Sequence, residues 1–185
     1  PMILLFRCVA EAVFAKGIVG LAEMIPGVGY ACDVAHEAWR RYHEQQQHRH
    51  LQNEIAQVAN LTLEDAKQEA AAIVREASAS QSAAPSLEEQ ITLELYLTAI
   101  PEAVRQSLKR PEDPRGKSVP AGFTVHDADG LLRLLPARPP RFRAGESLPG
   151  KSGWTLGRLL GIGGFGEVWF ARHANLVSQT GAVKF

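Results

Sequence analysis

Residues 154 to 171 have the sequence WTLGRLLGIGGFGEVWFA, and this stretch decides the fold of the C-terminal part of the chain. The residues on either side of its glycines are mostly apolar, β-branched or aromatic, which favours strands. Glycine has no Cβ to restrict the backbone, so the segment from Gly161 to Gly166 permits a tight connection. Residues 181–185 have the sequence GAVKF, which is typical of the middle of a strand. The sequence therefore predicts a short antiparallel meander of three strands over residues 154–185.

The glycines follow the pattern G-x-G-x-x-G-x-V, in which Gly161, Gly163, Gly166 and Val168 are the fixed positions. Backbone amides approach a nucleoside triphosphate closely only where no side chain intervenes. The same pattern also occurs in hairpin turns and in dinucleotide-binding folds. A dinucleotide-binding fold needs a helix directly after the glycines, whereas residues 168–171 favour a strand. A P-loop is disfavoured too, because Glu167 follows the last glycine where that motif has Lys and then Ser or Thr.

Two motifs in this order, the glycine pattern and then Ala182-Val183-Lys184, resemble the glycine-rich loop and third strand of protein kinases. The sequence from Gly163 to Trp169 is similar to the corresponding segment of bacterial serine/threonine protein kinases in particular. Gly181 stands where the family usually has the first Val of Val-Ala-Ile-Lys, which is a mild departure. The resemblance covers only Trp154 to Phe185.

The resemblance implies that this segment begins an ATP-binding lobe. Leu160 and Val168 would cover the adenine, and Ala182 would line the same pocket. Phe165 would lie at the loop tip over the phosphates, and Lys184 would contact the α- and β-phosphates. The glycine-rich loop itself would comprise Gly161, Gly163, Gly164 and Gly166.

The same resemblance implies that catalysis needs residues beyond Phe185. In protein kinases the glutamate that pairs with the lysine, the catalytic-loop Asp and Asn, and the magnesium-binding Asp all follow the third strand. The chain begins with Pro1 and ends within a predicted strand, so we expect it to be an N-terminal fragment. We expect the fragment alone to be inactive, with ATP and magnesium used by the parent protein.

The N-terminal 109 residues are predicted to be helical. The apolar segment from Ile3 to Leu21 is typical of a buried helix, with a membrane-active or partner-binding helix as the alternative. Pro26 and Gly27 then break the chain, and from Tyr30 the pattern predicts either one long helix or two.

Two further helix starts carry a capping signature. Thr62 is followed three residues later by Asp65, and Ser86 by Glu89, which places a hydroxyl and a carboxylate beside the free amides of a first turn. Residues 77–85 between the two helices are small and polar and are predicted to be a flexible connection. We expect Pro101 to end the second of these helices or to restart it.

Residues 110–153 contain seven prolines and are predicted to form a linker with one short helix from Ala128 to Leu135. Within it, Arg138 to Arg143 is predicted to be a solvated, extended strap, in preference to one that rests on the following domain. The resulting fold class is α+β: a helical region at 1–109, a Pro-rich linker at 110–153, and the truncated start of a kinase domain at 154–185.

Composition restricts the function classes. Twenty Lys and Arg balance twenty Asp and Glu, so overall charge gives no reason to expect nucleic acid as a partner. Charged residues interrupt the apolar N-terminal segment before it reaches the length of a membrane-spanning helix, so membrane insertion is disfavoured. Two cysteines, Cys8 and Cys32, are too few for a disulfide framework and are expected to be small apolar residues in a reducing cytoplasm.

The histidines at positions 36, 43, 48 and 50 raise the question of a metal site, because His36 and His43 would share a helical face. The surrounding arginines and glutamines favour a solvated polar face instead. Two hypotheses of function therefore stand. One is the ATP-binding start of a cytoplasmic serine/threonine protein kinase. The other is a helical self-association or partner-binding module attached to it, with membrane association of that module left open.

Overall fold

The computed structural model describes residues 3–24, 29–45, 49–81, 84–176 and 178–185. Within these residues the chain is α+β, with seven helices followed by one antiparallel sheet of three strands, which confirms the predicted class. The helices are α1 (Leu4–Lys16), α2 (Val19–Ala22), α3 (Tyr30–Gln45), α4 (Arg49–Asn60), α5 (Leu63–Ala79), α6 (Leu87–Leu108) and α7 (Ala128–Leu132). The strands are β1 (Trp154–Ile162), β2 (Glu167–His173) and β3 (Thr180–Lys184).

Helix α1 is buried among α3, α5 and α6, as its apolar composition predicted. Leu5, Phe6 and Val9 are fully buried in the main hydrophobic core. The predicted extension of this helix to Leu21 is wrong. Gly17 adopts φ +87° and ends α1 at Lys16, and a separate short helix, α2, follows.

From Tyr30 onward the sequence predicted either one long helix or two, and the structure has two, α3 and α4. The residues between them, 46–48, and the predicted break at Pro26 and Gly27 lie outside the described residues. Cys8 on α1 is fully buried, and this burial raises the pKa of its thiol to about 12. Cys32 on α3 is partly exposed, and both thiols are free.

Both predicted capping boxes are present. The Thr62 hydroxyl accepts from the Asp65 amide at 3.1 Å, and the Ser86 hydroxyl accepts from the Glu89 amide at 3.2 Å. Each carboxylate bonds back to the amide of its capping residue, which satisfies two free donors at each helix start.

Helix α6 continues through Pro101 to Leu108, so the expectation that Pro101 ends it is wrong. Leu97, Ile100 and Val104 on either side of the proline are fully buried. Burial of these side chains stabilises the helix enough to offset the backbone hydrogen bond that proline cannot make.

The segment 110–118, which we call the α6 loop, is tightly organised by its own hydrogen bonds. The Arg110 guanidinium donates to the Ser118 carbonyl at 2.9 Å, and the Asp113 carboxylate accepts from the Ser118 amide at 2.7 Å. These Ser118 hydrogen bonds lower the pKa of Asp113 to about 2. Gly116 has φ +62° and lies directly against the Arg105 carbonyl at the end of α6.

The sheet is a meander in the order β1-β2-β3, as predicted. One face carries a second, smaller core in which Leu156, Trp169 and Ala171 are buried. Helix α6 contacts β1, so the helical region and the sheet pack directly on each other. Among the described residues, no helix combines the length and the apolar character needed to cross a lipid bilayer.

Gly116→Ala is expected to destabilise the chain by about 2 kcal/mol or more, because its new Cβ would overlap the Arg105 carbonyl in a left-handed backbone conformation. The matched control is Gly122→Ala, which has φ outside the left-handed range and no heavy atom within 4 Å of the new Cβ. Urea unfolding of the two variants measures the difference. Equal midpoints would contradict the tight contact at Gly116.

Candidate functional site

Three of the predicted site residues form one row across the sheet. Gly161 in β1 pairs with Val168 in β2, and Val168 pairs with Lys184 in β3. Ala182 lies two residues before Lys184 and pairs with Phe170, which places it on the same face. The register therefore brings the first glycine, the valine, the alanine and the lysine of the motif onto one surface, which we call the outer face.

The outer face is accessible at β3. Lys184 and Ala182 are exposed, and Val168 is half-buried. Lys184 forms no ion pair with any described residue. Its ammonium is thus available to an anion placed over the sheet.

The connection between β1 and β2 is a tight hairpin. The Gly163 amide donates to the Gly166 carbonyl at 2.8 Å, which leaves Gly164 and Phe165 at the tip. Phe165 is fully exposed. The Phe165 ring is therefore open to solvent at the tip of the hairpin.

The three glycines of the motif differ in what surrounds them. A Cβ at Gly166 would lie 2.8 Å from the Phe185 carbonyl, and a Cβ at Gly161 would overlap the carboxamide of Gln106. Packing against fixed backbone is therefore sufficient to explain Gly166, whereas the contact at Gly161 is with the flexible end of the Gln106 side chain. Gly163 is different, because a Cβ there would meet no atom closer than 3.9 Å, and its φ lies outside the left-handed range.

Leu160 lies apart from the row of site residues. β1 carries an extra residue between Leu159, which pairs with Trp169, and Gly161, which pairs with Val168, and Leu160 occupies this bulge. Leu160 is half-buried and lines a cavity that it shares with α6 and the α6 loop.

Gln106 of α6 is a site neighbour that the sequence analysis missed. In the orientation of the Gln106 side-chain amide in which both its nitrogen and its oxygen form hydrogen bonds, the nitrogen donates to the Ile162 carbonyl at 3.3 Å. The oxygen accepts from the Ile162 amide at 3.2 Å. This contact joins the helical region to the strand end that leads into the glycine-rich loop. A glutamine near a helix end has no sequence signal that would predict such a contact.

Glu167 is a second residue that the sequence analysis did not single out. It is fully buried at the start of β2, where its carboxylate pairs with the Arg138 guanidinium at 2.8 Å. The Arg141 amide donates to it at 3.0 Å, and the Trp169 indole N–H donates at 3.0 Å. These bonds fix the beginning of β2, directly after the hairpin, to the segment 138–141.

The expectation that Arg138 to Arg143 is a solvated strap is wrong for Arg138 and Phe142, whereas Arg141 and Arg143 are exposed as expected. Arg138 is only 9% exposed, and the Phe142 ring lies against the Phe185 ring with their centroids 4.2 Å apart. The strap rests on the sheet because Glu167 supplies a buried countercharge and because Phe142 packs on the smaller core.

The histidines show no metal-binding arrangement in the described part of the chain, where no three His, Cys, Asp or Glu side chains converge. His36 bonds to the Cys32 carbonyl at 2.9 Å, and His43 packs edge-on against Trp39 with ring centroids 4.1 Å apart. His48 lies outside the described residues.

Comparison of the chain with protein-family models, with curated proteins and with the solved structures gave no match.

Glu167→Ala is expected to destabilise the chain by about 3–5 kcal/mol, because it leaves the Arg138 charge buried without a partner. The matched control is Glu146→Ala, whose exposed contact with Arg143 spans 3.9 Å and whose loss should change stability by less than about 0.5 kcal/mol. Urea unfolding followed by tryptophan fluorescence measures both.

Replacing both partners of this pair distinguishes loss of a charge partner from loss of packing. Arg138→Leu combined with Glu167→Leu should be more stable than Glu167→Ala, since no buried charge remains. A double variant that is as unstable as the single one would contradict the role given to the ion pair.

Proposed function

We propose that residues 154–185 are the start of an ATP-binding lobe and that the chain is the N-terminal part of a cytoplasmic serine/threonine protein kinase. The observation that carries the proposal is the row of Gly161, Val168 and Lys184 across three paired strands, with Ala182 on the same face. In this arrangement a nucleotide on the outer face would meet apolar side chains beside the hairpin and an unpaired ammonium on β3.

Gly163 is compatible with the proposal. It is exposed, its φ lies outside the left-handed range, and there is room for a Cβ. Neither backbone conformation nor packing within the described residues accounts for a glycine here. Close approach of a phosphate to the backbone would account for it.

The roles of the residues follow from their chemistry. Val168 and Ala182 would pack against the adenine, and the Lys184 ammonium would neutralise charge on the α- and β-phosphates. Phe165 at the hairpin tip would shield the phosphates from water. Magnesium would be held by carboxylates that follow the lysine in protein kinases, and none of the residues assigned here to the nucleotide would bind it.

The alternative, a helical module for self-association or partner binding, has no specific observation in its favour. The exposed large apolar residues Val19, Leu63 and Leu87 belong to three different helices. Single exposed apolar residues are normal on protein surfaces. The alternative stays a prediction.

The decisive experiment expresses the complete product of the gene that encodes this chain and measures phosphate transfer from ATP to a protein substrate. Lys184→Met should lower the rate by about 100-fold or more, since it removes a cation aimed at developing phosphate charge. Lys151→Met replaces an exposed lysine elsewhere and should leave the rate unchanged. No transfer by the wild-type product, or full transfer by Lys184→Met, would contradict the proposal.

Gly163→Ala tests the phosphate contact without relying on the lysine. It should raise the KM for ATP several-fold while leaving the unfolding midpoint within error of wild type, because the new methyl group meets no protein atom. Gly122→Ala is again the matched control, with neither quantity changed. An unchanged KM for Gly163→Ala would count against a phosphate above this hairpin.

A further inference from the structure

A cavity of about 740 Å³ lies between the start of α5 with the residues just before it, α6, the α6 loop and β1. Five cationic side chains and one carboxylate line it: Arg105, Lys109, Arg115, Lys117, Arg158 and Glu102. The whole chain has equal numbers of cationic and acidic residues, so this excess of positive charge is a local feature. We call this cavity the basic cleft.

The carboxylate in the basic cleft already has ion-pair partners within the chain. Glu102 is buried and pairs with Arg105 at 3.0 Å and, more distantly, with Lys109 at 3.9 Å. Arg105 also donates to the Ala59 and Leu61 carbonyls at 3.2 Å each, so its guanidinium has a structural role between α4 and α6.

Three further cations have no ion-pair partner among the described residues, although the Glu102 carboxylate also attracts Arg158 at longer range. Arg115, Lys117 and Arg158 are exposed and form no ion pair with any described residue. Arg158 comes from β1, whereas the other two come from the α6 loop, so positive charge faces the cleft from both sides. Five cationic residues thus share one carboxylate in this cavity, and like charges repel one another unless a further anion lies between them.

The α6 loop holds its two cations on a fixed backbone. Gly116 lies between them and packs against the Arg105 carbonyl, and the Asn60 side chain donates to the Lys117 carbonyl at 2.9 Å. The Asp113 carboxylate closes the loop by accepting from the Ser118 amide at 2.7 Å. Arg115 and Lys117 are therefore presented from an ordered loop, which lowers the entropic cost of binding an anion.

We propose that the basic cleft binds a small molecule that carries two or more phosphate groups. Arginine and lysine together are the side chains that bind phosphate most strongly, through charge-assisted hydrogen bonds. The volume is in the range of pockets for nucleotide-sized ligands, which is larger than a single phosphate requires. The cations converge in a cavity instead of extending along a face, which disfavours nucleic acid.

This ligand would bridge the helical region and the sheet. Leu160, the bulge residue directly before Gly161, lines the same cleft, so an anion there would lie next to the strand that leads into the glycine-rich hairpin. The site is separate from the outer face and does not depend on the proposed kinase function.

Calorimetric titration of the chain with inorganic pyrophosphate tests the proposal at low and at moderate salt. We expect saturable binding that weakens about tenfold in each of the variants Arg115→Gln, Lys117→Gln and Arg158→Gln, because each removes one charge-assisted contact. Arg75→Gln and Lys151→Gln remove exposed cations outside the cleft and should bind like wild type. All five replaced residues are exposed, and unchanged unfolding midpoints confirm that the variants are folded.

Several outcomes would overturn the proposal. These are no saturable binding of pyrophosphate, equal weakening in the two control variants, or tighter binding of a phosphoserine peptide than of pyrophosphate. The variant Lys184→Met tests whether pyrophosphate binds on the outer face instead of in the basic cleft. If Lys184→Met abolishes pyrophosphate binding while the three cleft variants retain it, the anion binds on the outer face and the cleft assignment fails.

Discussion

The carboxylate of Glu167 is fully buried at the first residue of β2, and donors from two separated parts of the chain converge on it. A buried charge of this kind is tolerated only when it is paired and hydrogen-bonded. Arg138 and the Arg141 amide meet this requirement from the strap, and the Trp169 indole meets it from β2 itself. The strap must therefore lie on the sheet, which in turn positions Phe142 over the smaller core and holds the residue that follows the glycine-rich hairpin.

Helix α6 connects this sheet to the helical core. Leu97 and Ile100 are buried in the main core, and Gln106, two turns further on, bonds to the backbone of Ile162 in β1. The same helix end receives Gly116 of the α6 loop against the Arg105 carbonyl. One continuous helix thus determines where β1 lies and also forms one wall of the basic cleft. If Pro101 had ended the helix, neither contact would be present.

Much of the local structure was predictable because its causes are local. The two capping boxes depend on residues three positions apart, and both formed as predicted. The strands on either side of the glycines follow from β-branched and aromatic residues, and the antiparallel register then placed Val168 opposite Lys184. The errors came where distant partners decide the outcome. Arg138 looked solvated because its countercharge lies 29 residues away, and Pro101 looked like a helix end because the packing that keeps α6 continuous cannot be seen locally.

The sequence by itself determined the α+β class, the helix starts at Thr62 and Ser86, and the three-stranded meander with its glycine-rich hairpin, since these depend on backbone preference and short-range hydrogen bonds. Only the tertiary structure decided that the strap is bound to Glu167, that Gln106 packs against Gly161, and that Arg115, Lys117 and Arg158 converge on one cleft. Those arrangements join residues distant in sequence, and the physical terms that select them are burial of charge and close packing between elements. Both terms depend on residues that only folding brings together.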